Sequence, residues 1–325
     1  MSFTNKNLIE QFSTLRKYFQ EKGDKGRAIA YSKAIVALRS IDEPITSVKQ
    51  LKGIRGIGPK VTEKVQEFLN KGIVGVSEKA KKEMKSEEKP KTKKDLVLEE
   101  FQTIWGIGPV KAKKLYEDEN IHSLKQLEKN THLLTDQQRI GLKYREDLLK
   151  KIPRTLITAI NVIMVYYMNK EFGKGTYKLK IAGSYRRGAS QSGDIDCLIT
   201  SDNGIIEDVV KLLKRKGLII SVLGMKKEKF MGIAHCGDFY FRLDIEFVKK
   251  EEWGSSLLYF TGSKEFNVYM RAEARRKGML LNEHGLFKTK DSLFKTELDK
   301  KIEEAPTEKR IFELIGLKYI PPERR

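Results

Sequence analysis

The stretch from Gly183 to Asp196 restricts the possible fold of this chain more than any other. It reads Gly183-Ser184-Tyr185-Arg186-Arg187-Gly188, a short Ala-Ser-Gln-Ser segment, then Gly193-Asp194-Ile195-Asp196. Side chains two apart leave the same face of a strand, so Asp194 and Asp196 share a face. Ile195 and Cys197 point the other way, into a core that Leu198 and Ile199 extend. A third acid, Asp244, lies in the alternating run Phe241-Arg242-Leu243-Asp244-Ile245-Glu246-Phe247, which predicts a half-buried strand with Arg242, Asp244 and Glu246 on one face. If the two strands are neighbours, the three aspartates converge. Crowded carboxylates repel unless a cation compensates them, and hard oxygen ligands select Mg²⁺, with Mn²⁺ as the alternative. The Gly-Ser turn and the arginines offer a place for a triphosphate, and the whole set suits in-line attack on an α-phosphate. A lone Asp-x-Asp is more often a solvated strand edge; the turn upstream and the acid downstream weigh against that reading here.

The 325 residues, 39% hydrophobic and 33% charged, are enough for two or more domains with buried cores. No apolar run approaches membrane-spanning length, and Met1 to Leu8 lacks a signal-peptide core. Cys197 and Cys236 stand at no metal-ligand spacing, which argues against a disulfide framework or a zinc site and suits a reducing compartment. The formal charge of +20 favours a polyanionic partner. Residues 1–94 hold 22 basic and 11 acidic side chains, so about half of the excess lies there. A lysine-rich composition also serves solubility, and charge alone decides nothing.

An internal repeat adds a second constraint. Lys52-Gly53-Ile54-Arg55-Gly56-Ile57-Gly58-Pro59-Lys60 recurs as Gln102-Thr103-Ile104-Trp105-Gly106-Ile107-Gly108-Pro109-Val110. Each copy closes one helical stretch and opens another, with proline suited to the first turn and glycines that let backbone approach a ligand. Such a turn offers several N–H groups to a phosphate at a helix N-terminus. The pattern resembles the helix-hairpin-helix motif, which grips a DNA backbone without reading bases; a tight αα-hairpin of structural duty is the alternative.

Residues 77–95, rich in Lys, Glu and Ser with Pro90, lack an apolar stripe and read as a mobile linker or a nuclear address. Helical pattern resumes over 130–170, with a break at Ile152-Pro153-Arg154 and an apolar helix over Leu156–Met168. A helix is expected at Val209–Lys216, a hairpin near Phe230-Met231-Gly232, helices at Trp253–Tyr259 and Phe266–Lys277, and short strands near Met279–Leu281 and Leu286–Phe287.

The segments Gly183–Gly188, Gly193–Asp196, Lys229–Ala234, Arg242–Ile245, Leu258–Ser263 and Met270–Glu283, with the paired hairpins, resemble family X DNA polymerases. The resemblance runs from Gln11 to Pro322; the Asp194/Asp196 half alone also suits the wider nucleotidyltransferase superfamily. It implies an α+β fold: an N-terminal all-helical helix-hairpin-helix domain, a nucleotidyltransferase-fold palm with a mixed sheet, and a small α/β thumb-like C-terminal subdomain. The expected boundaries are 1–76 for a 5′-deoxyribose-phosphate lyase-like domain, 77–95 for the linker and 96–150 for the second hairpin subdomain. The palm is expected at 151–252 and the nucleotide-selecting subdomain at 253–325.

The resemblance also implies roles. Asp194, Asp196 and Asp244 would bind two Mg²⁺ ions, Asp244 taking the proton of the primer 3′-hydroxyl. Lys151, Ser184, Arg187, Ser192 and Gly193 would hold phosphates. Tyr259 and Phe260, with the turn at Gly262, would reject a 2′-hydroxyl; Asn267 would reach the incoming base, Arg271 the template, and Glu283 would help position the thumb. Lys64 would be the lyase nucleophile, with Arg27, Tyr31 and Lys60 as phosphate-binding or supporting residues; a plain solvated helix lysine is the alternative. Gly56, Gly58, Gly106 and Gly108 would meet DNA, and the carbonyls of Lys52, Ile54, Ile57, Gln102, Ile104 and Ile107 would take monovalent cations, Na⁺ or K⁺. Departures are Lys151 for a common arginine, Arg27 for a lysine, Val76 at a usually basic position, and Glu246 where a family member has an arginine.

The activity implied is template-directed gap filling in base excision repair with lyase activity, on gapped or nicked DNA and dNTPs. The protein would be a monomer in the nucleus, with the cytoplasm or a viral replication site as the alternative. End-joining synthesis competes within enzymes. A DNA-binding scaffold with a decayed transferase fold competes from outside them, although a decayed enzyme has no reason to keep the acid triad. Template-independent tailing is disfavoured by the short segment between Leu218 and Tyr240.

Overall fold

A computed structural model of the protein describes residues 3–87, 91–202, 206–289, 298–301 and 305–325. Four helices open the chain: α1 (Phe3–Glu21), α2 (Lys25–Arg39), α3 (Pro59–Lys71) and α4 (Gly75–Glu87). Asp24 starts α2 by accepting the Arg27 N–H, and α3 runs from Pro59 in its first turn to Gly72, whose φ of 70° ends it in the left-handed region. Leu8, Phe12, Leu15, Ile35, Leu38 and Val65 form their shared core. The expected linker is overturned over 77–87, which completes α4. Ser77 and Ala80 are buried, and the Ser77 hydroxyl donates to the Gln11 carbonyl of α1 at 3.3 Å. The packing stripe exists, but small side chains make it, and a hydropathy pattern passes over those. Residues 88–90 of that segment lie outside the described residues.

Five short helices follow: α5 (Lys93–Gln102), α6 (Pro109–Glu117), α7 (Leu124–Lys129), α8 (Asp136–Lys143) and α9 (Arg145–Leu149). They close on Phe101, Ile104, Leu115 and Leu127. Then come β1 (Ile152–Pro153), α10 (Arg154–Phe172), β2 (Tyr177–Ile181), α11 (Gly183–Arg186), β3 (Gln191–Ser192), β4 (Ile195–Ser201) and α12 (Ile206–Arg215). A run of strands completes this part: β5 (Ile219–Lys226), β6 (Lys229–Cys236) and β7 (Phe239–Phe247). The five-stranded sheet has the order β2-β4-β7-β6-β5, parallel only between β4 and β7. Ile157, Ile160 and Met164 of α10 and Val209 and Leu213 of α12 cover its inner face, where Ile195, Cys197, Leu243 and Ile245 are buried. That burial leaves the alternate residues, the acids, on the other face. The hairpin expected near Phe230-Met231-Gly232 turns instead at the Lys226–Lys229 pair. Gly232 is in mid-strand, where a Cβ would press on the Ser221 carbonyl, and the register of β5 slips between Val222 and Gly224. Its glycine marks a close approach of backbones in the sheet.

The C-terminal part comprises α13 (Trp253–Thr261), α14 (Lys264–Arg276), β8 (Met279–Asn282), β9 (Gly285–Thr289), β10 (Leu298–Lys301) and α15 (Glu308–Leu314), the strands forming an antiparallel sheet in the order β10-β9-β8. Two compact units result: Met1–Lys89 with Gly254–Arg325, and Pro90–Trp253. Within the first unit α14 packs against α2, and Val36 of α2 joins Phe266, Met270, Ile311 and Phe312 in one core. Helical N-terminal domain, mixed-sheet palm and α/β C-terminal part agree with the α+β class expected.

Candidate active site and nucleic-acid interface

Parallel pairing of β4 with β7 sets Asp196 directly opposite Asp244, and Asp194 stands one residue before β4 begins. One carboxylate oxygen from each of the three lies within 4.8 Å of the others. Burial, reinforced by the charges of Asp194 and Asp244, pushes Asp196 up to about 7. Burial likewise pushes Asp244 up to about 6, against the opposing pull of Arg242. Arg242 is the nearest compensation: its Nη2 bonds Asp194 Oδ2, and its Nε lies 3.2 Å from Asp244 Oδ1. The second approach lacks hydrogen-bond geometry, so Arg242 Nε and Asp244 Oδ1 are both buried without a hydrogen-bond partner. A buried carboxylate oxygen with no donor, among crowded acids, fits a hard divalent cation. Glu246, two residues after Asp244 on the same strand, bonds the ammonium of Lys229 across the β6–β7 register, so its charge is compensated within the sheet.

The glycine-serine turn is folded onto the acids. Gly183 has φ of 55°, a Cβ there would overlap the Asp196 carboxylate, and the Ala182 N–H donates to the Asp196 carbonyl at 2.8 Å. Only glycine lets the turn sit so close. The Ser184 hydroxyl donates to that of Ser192 at 2.7 Å, and Arg187, at the C-cap of α11, stays half-buried on the same turn. Pairing of β3 with β1 (Ser192 with Ile152) brings up exposed Lys151, whose Nζ would stand 3.3 Å from a Cβ on Gly193. Lys151, Ser184, Ser192 and Gly193 are thus brought together beside Asp194.

The two repeat copies have one geometry. Gly56 and Gly106 take φ of 95° and 86°, and Ile57 and Ile107 donate to the carbonyls of Ile54 and Ile104 at 3.2 and 3.0 Å. Gly58 and Gly108 are extended N-caps of α3 and α6 without a side-chain cap, and a Cβ on either would meet nothing within 4 Å. Neither N-terminus carries a side-chain cap, although in α3 the Val61 N–H already donates to the Gly58 carbonyl at 3.0 Å. Residues 102–108 line a groove of about 550 Å³ together with Leu148, Gly193 and Arg242, so the second hairpin and the acid site share one cleft.

Family comparisons match these parts in order. Residues 3–73 match a helix-hairpin-helix domain, 99–149 the fingers domain of DNA polymerase lambda, 151–250 the DNA polymerase beta palm and 256–325 the DNA polymerase beta thumb. DNA polymerase lambda of Rattus norvegicus is 35% identical over 336 residues, covering 99% of this chain and 56% of that protein. DNA polymerase lambda of Arabidopsis thaliana is 28% identical over 340 residues, covering 99% of this chain and 62% of that protein. The chain belongs to the family X DNA polymerases. It spans somewhat over half the length of these two curated relatives.

The remaining family X positions are distributed as follows. Tyr259, Asn267 and Arg271 line a small pocket with Leu281 and Asn282. Asn267 Nδ2 donates to the Tyr259 carbonyl at 2.7 Å, the Arg271 guanidinium stands 5.1 Å from the Tyr259 ring centre, and Phe260 meets that ring edge-on. Gly262, with φ of 62°, turns the chain from α13 towards α14. Glu283 offers its carbonyl to the Ser256 hydroxyl at 2.7 Å. In the N-terminal domain Lys64 is half-buried on α3, one turn after exposed Lys60. Arg27 is paired with Asp24 at 2.6 Å and stacked over Phe19, yet 64% exposed. Tyr31 is packed inside, stacked on Phe19 and edge-on to Phe12, and burial pushes its hydroxyl up.

Three residues were not singled out from the sequence. Arg154 bonds the Tyr185 carbonyl in the glycine-serine turn, Lys229 neutralises Glu246, and buried Glu273 gathers Lys33, Arg55 and Arg276. Apart from Arg276, one turn from Glu273, their partners are remote in sequence; among local signals only the Ile152-Pro153-Arg154 break pointed to one of them.

Proposed function

We propose that this chain is a template-directed DNA polymerase that fills short gaps in base excision repair and removes the 5′-deoxyribose phosphate left there. The observation that carries the polymerase reading is the convergence of Asp194, Asp196 and Asp244 beside a glycine-serine turn and an open groove. Two Mg²⁺ ions held by the three aspartates would supply Lewis-acid charge on the α-phosphate and acidify the attacking hydroxyl. The chain's own groups do the rest. Asp244 Oδ1, buried and without a donor, accepts the proton of the primer 3′-hydroxyl. Ser184, Ser192, Arg187, the Gly193 amide and the Lys151 ammonium hold the β- and γ-phosphates, lysine as a point charge in place of a fork. Arg242 keeps the acids from repelling one another before substrate arrives. Tyr259 and Phe260 pack against the sugar, Asn267 meets the base and Arg271 the template. Because phosphoryl transfer needs little covalent help, positioning and charge account for most of the rate.

Both hairpins grip phosphates through Gly56, Gly58, Gly106 and Gly108, without base readout, and monovalent cations at the Lys52, Ile54, Ile57 and Gln102, Ile104, Ile107 carbonyls would complete the contact. Lys64 is the lyase nucleophile, attacking the C1′ aldehyde as the neutral amine, with Lys60 and Arg27 drawing the 5′-phosphate. The enzyme acts as a monomer in the nucleus; among the described residues no helix is long and apolar enough to cross a membrane.

Extension of a primer across a one-nucleotide, 5′-phosphorylated gap with Mg²⁺ tests the polymerase reading, and a protein that binds this DNA without extending it is the scaffold instead. Borohydride trapping on an abasic 5′-end tests the lyase: an adduct is expected with wild type and not with Lys64→Ala. Equal trapping by the two would move the nucleophile to another lysine.

A further inference from the structure

We propose that Arg154 is a positioning residue for nucleotide binding, fixing the turn from Gly183 to Gly193 in the shape that takes the triphosphate. This rests on reading that turn as the triphosphate cradle. Arg154 is the first residue of α10, directly after β1. Its backbone N–H donates to the Ser190 carbonyl at 2.9 Å, extending the β1–β3 pairing that holds Ser192. Its guanidinium reaches back over the turn: Nη1 donates to the Tyr185 carbonyl and, at 3.4 Å, to that of Ala189. The same guanidinium lies over the Tyr185 ring, 4.2 Å from its centre. One turn along α10, the Thr158 hydroxyl donates to the Arg154 carbonyl at 3.0 Å. Its single proton is then committed, so in the 2.9 Å contact between the two hydroxyls Tyr185 donates and Thr158 accepts.

These contacts fall beside the two serines that would meet phosphate. Tyr185 follows Ser184, and Ser190 lies two before Ser192, while the two serine hydroxyls bond each other at 2.7 Å. One residue therefore ties the loop between the two serines, its side chain at Tyr185 and Ala189 and its backbone N–H at Ser190. Both carbonyls are met by the single nitrogen Nη1, which an ammonium could imitate, but lysine has no planar guanidinium to cover the Tyr185 ring at the same time. Arg154 makes no contact with the three aspartates, so its effect is on nucleotide affinity and not on the acids.

The test compares Arg154→Lys and Tyr185→Phe with wild type by three measurements: dNTP affinity on a dideoxy-terminated primer, Mn²⁺ affinity without nucleotide, and gap-filling kinetics. Arg154→Lys is expected to weaken dNTP binding and raise KM by about tenfold with kcat little changed. Tyr185→Phe is expected to weaken it less. Mn²⁺ affinity, DNA affinity and the thermal midpoint should stay near wild type in both. Unchanged dNTP affinity in Arg154→Lys overturns the proposal, as does a loss that tracks a fall in Mn²⁺ affinity and midpoint in both variants, which marks a folding brace only. Ser184→Ala and Ser192→Ala distinguish the premise: if they too leave dNTP affinity intact the cradle reading fails, whereas an effect from them beside a silent Arg154→Lys refutes the positioning role alone.

Discussion

Asp196 and Asp244 keep protons at a pH where an ordinary aspartate has none, because burial, with the charge of neighbouring acids, raises both. The unfolded chain releases these protons first as pH rises, so the metal-free protein loses stability between about pH 4 and pH 7 and levels off above. Urea midpoints in chelator should fall across that window, and Asp196→Asn should flatten the curve and raise stability at its alkaline end. A steeper fall in Asp196→Asn would contradict the assignment. A divalent ion needs the ionised acids, so Mn²⁺ affinity is expected to rise through the same window. Strand alternation in the sequence already placed these acids on one face. It could not reveal that Lys229 cancels Glu246, since that contact depends on the pairing register of two strands.

Two turns set the chemistry at the scale of elements, and their glycines have opposite sensitivities. Gly183 is crowded: with φ of 55° and the Asp196 carboxylate against it, Gly183→Ala must displace either the turn or the acid. Nucleotide addition should drop about a hundredfold while DNA affinity and circular dichroism stay unchanged. Full activity in that variant would contradict the close fit of turn and acid. Gly108 is open: its φ of −90° suits any residue and nothing lies within 4 Å of a Cβ. Gly108→Ala should keep the thermal midpoint yet weaken duplex binding by about 1 kcal/mol, the worth of a hydrogen bond or so to phosphate. A binding isotherm like wild type would leave that hairpin a structural turn. Both glycine patterns were legible because the Gly-Ile-Gly-Pro repeat and the Gly-Ser turn are local. The helix over 77–87 was not, its contact being made by Ser77 and Ala80.

At the scale of the whole molecule, chain order and packing part company. The first and last segments join in one unit, and at their junction the Glu273 carboxylate, 1% exposed, lies 3.1 Å from Arg55, 3.1 Å from Arg276 and 3.8 Å from Lys33. No local pattern joins residues 33, 55 and 273, so this part of the fold was hidden from the sequence. Glu273→Ala strands the enclosed Lys33 charge and should cost about 2 kcal/mol, less than for a fully buried pair because Arg55 and Arg276 reach solvent. A urea titration with an unchanged midpoint would show that the cluster does not hold the unit together. The reading of the entire chain as a polymerase, however, depends on its acids. Its most direct test is single-turnover gap filling by Asp244→Ala beside wild type, with DNA affinity measured on the same samples. Wild type is expected to extend the primer, while the variant binds the gapped duplex equally well and adds no nucleotide. Substantial extension by the variant, or none by wild type with Mg²⁺ and dNTP present, would contradict that reading.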